Sequence, residues 1–268
     1  MNIGLLFCCY GSPQYVQPCL ENWLKLKDKY NLKIAAVHGQ FKEYQDLKIL
    51  DEDFETQKQL KKLYKKKDID FLYLQNDYDD KETAPIYENE AQIRDKSLQW
   101  LLTQNVDWVC LLDLDEFATE EQIDSIIKFL QSPQAKSYAW IKQHYRNYIL
   151  DGKQWLDNFS PPRYFQTNFR EFRLNSFYHD NDVLYTENLT NRKFDYKQLP
   201  NTEIPKSIQI RHESWVDNEK TRMKIRYQEN HFGKGNCSYK IGLDGKVCID
   251  YDFFLEKGLP IPVIKKDN

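Results

Sequence analysis

Four short, almost unbroken apolar runs, each followed by a stretch of helical spacing, constrain this chain more than any other feature. Ile3–Tyr10 is closed by Gly11 and Leu32–Val37 by His38-Gly39; Asp70–Leu74 and Asp107–Asp113 (DWVCLLD) complete the set. Runs of this length without polar alternation fit strands covered on both faces, as in a parallel sheet between helices. The intervening segments supply the helices. Ser12-Pro13 offers an N-cap with proline at the first helical position. Tyr15, Val16, Cys19, Leu20, Trp23 and Leu24 recur at helical spacing behind it, with Pro18 expected to kink or delay that helix. Glu43–Lys67 reads as a second helix, and Glu88–Asn105 as a third with Ala91, Leu98, Leu101 and Leu102 on one stripe. Thr119 opens T-E-E-Q, a capping box with Gln122, ahead of a helix to Gln131. Ser137–Ile141 is a candidate fifth strand. The repeated strand–helix alternation predicts an α/β fold, with a mainly parallel sheet, flanking helices and right-handed crossovers.

From Gln143 to Asn236 aromatic, Arg and Asn residues mix without periodicity, which predicts long loops and short strands in an irregular C-terminal half. Ser238–Leu243 and Lys246–Asp250 flank Asp244-Gly245, a hairpin signal. At 268 residues the chain is one large domain or two small ones on a scale of roughly 150 per domain. Neither a linker nor an internal repeat divides it, so a single domain is expected. Lys plus Arg total 38 and Asp plus Glu 41, a formal charge of −3. That balance argues against a nucleic-acid partner, whose footprint is a basic excess. No apolar run approaches the ~18 residues of a membrane span. The opening MNIGLLFCCYGS lacks a basic n-region, and this predicts a cytoplasmic chain. Six cysteines without a C-x-x-C pair give zinc or thioredoxin chemistry no support and read as buried free thiols. The N-x-S/T triplets at Asn158, Asn188 and Asn236 read as chance matches.

Asp113 and Asp115 stand at the carboxyl end of the fourth run, spaced by two. On an extended segment both carboxylates point to one side, where they can serve one cation. Ligands of open α/β sheets bind at those carboxyl ends. Few hard oxygen ligands suit Mg²⁺ or Mn²⁺ completed by phosphate and water. The bland alternative is a pair of capping or solvated acids, but Thr119 already supplies the cap. A phosphatase-type D-x-D follows the first strand, with Thr or Val two residues beyond its second Asp. Here the pair follows the fourth strand, and Phe117 holds that place.

With these segments in hand, the sequence resembles the GT-A glycosyltransferases, in particular family-2-like members with an L-D-x-D-E-F segment. LLDLDEF at Leu111–Phe117 carries the likeness, preceded by AQIRDKSLQWLLTQNVDWV at Ala91–Val109 and by CCYGSPQYVQPCLENWL near the start. IRHESWVDNEKTRMK at Ile210–Lys224 is similar to the segment that places a His before a basic helix. The likeness covers residues 3–142, and 208–228 more loosely. It implies a Rossmann-like GT-A domain over 1–268, with a nucleotide-sugar-binding half at 1–142 and an acceptor half at 143–268. It further implies a metal-dependent transfer of a sugar from a nucleotide-sugar, by class a UDP-sugar, to a glycan or lipid-linked hydroxyl acceptor. The implied cation, Mn²⁺ or Mg²⁺, is held by Asp115, with Asp113 on the same metal or on the ribose and His212 as third ligand. Arg94 is implied as a nucleotide or phosphate contact; its other reading is a structural arginine paired with Asp113 or Asp95. Lys220 and Lys224, four apart, either reach phosphates or are solvated helix charges. Relatives end the second strand with an acidic base-gripping residue, where this chain has Val37-His38-Gly39. Tyr10 and Asp77 are the remaining candidates for the base.

For the acceptor side, an inverting enzyme needs a carboxylate base. Glu171, among aromatics and arginines in NFREFRLN, is the first choice because buried acids are the ones tuned for such work. Trp140, Tyr145, Tyr148, Trp155 and Trp215 are either sugar-stacking rings or core. The basic run Lys58–Lys67 keeps Leu60, Leu63 and Tyr64 on one face. It is either a solvated amphipathic helix or a peripheral contact with an anionic membrane surface. The contrasting function is a non-catalytic nucleotide- or glycan-binding protein of the same fold.

Overall fold

All four apolar runs fold as strands of one sheet: β1 (Ile3–Cys9), β2 (Lys33–His38), β3 (Phe71–Leu74) and β4 (Trp108–Asp113), numbered along the chain. Every residue of β1 is buried, as are the last five of β2 and the first five of β4. This is the coverage expected of apolar runs without alternation. The computed structural model describes residues 1–9, 11–39, 54–75, 86–157, 160–179, 182–216, 218–233 and 237–267. These form two compact units interleaved in sequence: 1–39, 54–144 and 160–210 in one, 145–157 and 211–267 in the other.

In the first unit β4 leads into the two-residue β5 (Glu116–Phe117), and β6 (Trp140–Lys142), β9 (Pro162–Gln166) and β14 (Asn201–Glu203) complete a seven-stranded sheet of order β14-β6-β9-β4-β1-β2-β3. β1, β2, β3 and β4 are mutually parallel where paired. β9 runs antiparallel to both β4 and β6, so the sheet is mixed rather than simply parallel. β10 (Asn168–Phe169), β11 (Phe172–His179), β12 (Asp182–Glu187) and β13 (Lys193–Asp195) make a separate antiparallel sheet. The helix Ile86–Thr103 packs against β1, β2 and β3 and also against β11. Gly4 admits this helix closely: a methyl group there would sit 2.8 Å from Leu101 Cδ2.

The helix Pro13–Lys25 starts at the expected proline, but Ser12 makes no side-chain cap bond. It also runs unbroken through Pro18, contrary to the expected kink or delay. Pro18 gives up one backbone bond, while Val16, Cys19, Leu20 and Trp23 stay buried around it. Thr119 does cap Glu120–Gln131: its hydroxyl accepts from the Gln122 N–H at 3.3 Å, and Gln122 Oε1 accepts from the Thr119 N–H at 2.8 Å. Thr119→Ala is therefore expected to lower stability by about 1 kcal/mol, read as the shift of the urea midpoint at constant slope.

In the second unit β7 (Tyr145–Leu150), β8 (Gln154–Leu156), β15 (Ile210–Val216) and β18 (Lys265–Lys266) lie in the order β18-β8-β7-β15. The expected hairpin is β16 (Tyr239–Ile241) against β17 (Val247–Ile249), with Gly245 at φ 78° in its turn. Ile149, Leu156, Ile225, Tyr239, Val247 and Ile249 form this unit's core. All six cysteines are free, and five of them are buried. Among the described residues no helix is long and apolar enough to cross a membrane.

Candidate functional site

The order of the first sheet reverses at β1. The chain lays β2 and β3 on one side of β1 and then returns to place β4 on the other. The carboxyl ends of β1 and β4 therefore flank a topological switch point, where open α/β sheets bind their ligands. Asp113 is the last residue of β4 and lies level with Cys8. Leu114 and Asp115 form a turn into β5, so the strand alternation expected to align the two carboxylates stops at Asp113.

The turn is held from several sides. The Cys19 thiol donates to the Glu116 carbonyl at 3.1 Å, and Asn22 Nδ2 donates to the Ala118 carbonyl at 2.8 Å. Tyr15 meets Phe117 edge to face at 5.3 Å. Beneath the turn lies a chain of alternating charges. Arg94, 2% exposed, donates from Nη2 to Asp113 Oδ1 at 3.0 Å, pairs with Glu90 at 2.8 Å and reaches Cys8 Sγ from Nε at 3.2 Å. Arg163, also 2% exposed, donates to Asp113 Oδ2 at 2.8 Å and to Glu116 Oε1 at 2.6 and 2.9 Å. Each oxygen of Asp113 thus accepts from a different guanidinium. Glu116 is fully buried, and burial pushes its carboxyl up to about 7. The charges of Asp113 and Asp115 push it the same way, against the lowering by Arg163. Glu90, Asp113 and Glu116 thus share two buried guanidiniums.

Arg94 therefore pairs with Asp113. Asp95, the other partner considered, instead accepts from Gln99 and from the Phe177 N–H. Arg163 and Glu90 carried no sequence signal: Arg163 comes from β9, fifty residues beyond Asp113. Tyr10 and Asp77 lie outside the described residues, as does the Lys220 side chain.

Glu171 corrects an expectation. It is exposed at the turn joining β10 to β11, beside Arg170 at φ 51°, so the burial that singled it out is absent. A hairpin turn faces water, whereas Asp115 and Glu116 of the same unit are buried. In the second unit, Lys224 Nζ sits 4.5 Å over the Trp215 ring, and Trp215 stacks on Tyr239 at 4.2 Å. Trp215 is thereby a packing residue and Lys224 its cation–π partner. His212 is buried, with Nδ1 3.0 Å from Asn147 Oδ1 and its ring 5.3 Å from Tyr145.

In the first unit the carboxylate oxygens of Asp113 and Asp115 fit a hard divalent cation in their chemistry. Among the described residues, though, no group of three or more His, Cys, Asp or Glu side chains is gathered to hold one.

No family model and no curated protein matches the sequence. Among solved structures the chain is similar to S. aureus TarS 1-349 in complex with UDP, at 12% identity and a TM-score of 0.36, over 64% of this chain and 40% of that one. It spans about two fifths of that structure's length. TarS 1-349 in another crystal structure aligns over 91% of this chain and 76% of that one, at 10% identity and a TM-score of 0.45. The mannosyltransferase PcManGT from Pyrobaculum calidifontis, in complex with GDP-Man and Mn2+, aligns over 62% and 44% at 13% identity and a TM-score of 0.36.

Proposed function

We propose that this chain is a metal-dependent GT-A glycosyltransferase, one catalytic domain that moves a sugar from a nucleotide-sugar to a hydroxyl of a glycan or lipid-linked acceptor. The observation that carries the reading is the Asp113–Asp115 turn at the switch point between β1 and β4, braced by two buried arginines. An arginine taken out of water to hold a carboxylate in one orientation is a costly arrangement. It is repaid in function when that carboxylate must meet a ligand in a fixed pose.

In this reading the donor diphosphate lies across the carboxyl ends of β1 and β4. Asp115 supplies oxygen to the cation. A bound Mn²⁺ or Mg²⁺ supplies Lewis-acid neutralisation of the charge that develops on the leaving diphosphate. Asp113, oriented by both guanidiniums, meets the ribose hydroxyls. Arg94 and Arg163 act through Asp113 and Glu116 and are positioning residues. Uracil as the base follows from the family resemblance alone. Glu171 receives no role.

The alternative is a non-catalytic nucleotide- or glycan-binding protein of the same fold. One observation favours it: the engagement of both Asp113 oxygens by arginine also suits an acid kept for structure alone. Donor hydrolysis separates the two. Wild-type protein incubated with UDP-sugars and Mn²⁺ is expected to release UDP slowly to water even without acceptor, and to stop when the cation is chelated. Binding of nucleotide with no metal-dependent release from any donor favours the non-catalytic reading.

A further inference from the structure

The helix Phe54–Lys65 buries Thr56, Gln57, Leu60 and Leu63 on one face and exposes the opposite one. Phe54, Lys58, Lys61 and Lys65 stand at i, i+4, i+7 and i+11, a single line along a cylinder with about 3.6 residues per turn. All four are exposed, Phe54 by 63%. Lys62 lies beside the line, and exposed Lys66 and Lys67 extend its charge past the helix end. Tyr64, expected on the buried face, is instead 48% exposed at the margin of this one. The only acid in the helix is Glu55, 3.2 Å from Lys58.

A face built merely for solvation carries both signs interspersed, because like charges three and four residues apart oppose helix formation. Here lysines repeat at those spacings, in a chain whose overall charge is −3. Among the described residues, Lys58 alone of the line's lysines has an acidic partner, and an exposed phenylalanine at its head does not serve solubility. Basic side chains with aromatic anchors on one face of a helix, and an apolar stripe on the other held by the protein, suit a flat anionic interface. A polynucleotide would instead ask for a groove that follows its backbone. We propose that this face is a docking surface for an anionic lipid bilayer, with the lysines meeting headgroups and Phe54 and Tyr64 settling at the interface. The proposal stands on the helix alone and does not depend on the donor-site reading.

The test is co-sedimentation of the full chain with vesicles of phosphatidylcholine, alone or with about 30% phosphatidylserine. The wild-type chain is expected to bind the anionic vesicles and not the neutral ones, and to leave them as salt shortens the Debye length. Each lysine near such a surface contributes about fivefold in partition. Lys58→Gln, Lys61→Gln and Lys65→Gln together are therefore expected to lower binding by roughly a hundredfold, with an unchanged melting midpoint because all three are exposed. Phe54→Ser lowers it further at any salt concentration. The proposal is overturned if the wild type stays in the supernatant with anionic vesicles at low salt or binds neutral vesicles equally. It is overturned as well if the folded triple variant binds undiminished, or if single-stranded RNA displaces the anionic vesicles.

Discussion

Arg163→Ala is expected to destabilise the first unit by about 3–5 kcal/mol, the range for removing one partner of a buried ion pair. Arg163 is 2% exposed and holds Glu116, 1% exposed, through two nitrogens at 2.6 and 2.9 Å while reaching Asp113 at 2.8 Å. Its loss strands Glu116 without a cationic partner among these bonds and frees one side of Asp113. Because much of the cost is the stranded acid, a second substitution discriminates. Arg163→Met combined with Glu116→Leu removes both charges and replaces them with apolar volume, so this pair is expected to be more stable than Arg163→Ala alone. Chemical denaturation followed by tryptophan fluorescence checks both. A loss below about 1 kcal/mol in the single variant would mean that the network is a surface-like ion pair and that it does not brace the turn.

Much of this arrangement was legible in the sequence, for reasons that can be stated residue by residue. Strands β1, β2 and β4 announced themselves because burial on both faces demands unbroken apolar runs. The capping box at Thr119 and the Asp244-Gly245 hairpin are local chemistry, fixed within a few residues. Asp113 and Asp115 stood out because their helix already had a cap. What stayed hidden was tertiary. Arg163 belongs to β9, which inserts antiparallel between β6 and β4, and its stretch of sequence carries no periodicity to predict that pairing. The mixed sheet follows from the same insertion. Glu171 looked buried because its neighbours are aromatic and basic, yet composition does not reveal a two-residue turn whose residues face water. Trp215 could be read either as a sugar platform or as core, and only the fold brings Tyr239 against it.

The second large effect is expected at Asp115. It is 7% exposed in the turn beyond β4, and in the proposed reading it is the acid that supplies oxygen to the cation under the donor diphosphate. Asp115→Ala is expected to remove metal-dependent nucleotide binding, while the arginine bonds that run through Asp113 and Glu116 remain. A ligand that binds only the folded state adds about 2.7 kcal/mol of stability at a hundredfold excess over its Kd, so the difference between wild type and variant is large enough to read as a melting shift. The direct measurement is therefore the melting midpoint of both proteins with UDP, GDP, ADP and CDP, each with and without Mn²⁺. If Asp115 holds the cation, the expected result is one nucleotide that raises the wild-type midpoint only when Mn²⁺ is present, and no such rise in Asp115→Ala. An absence of any Mn²⁺-dependent rise in folded wild-type protein, or a rise that survives in Asp115→Ala, would contradict it.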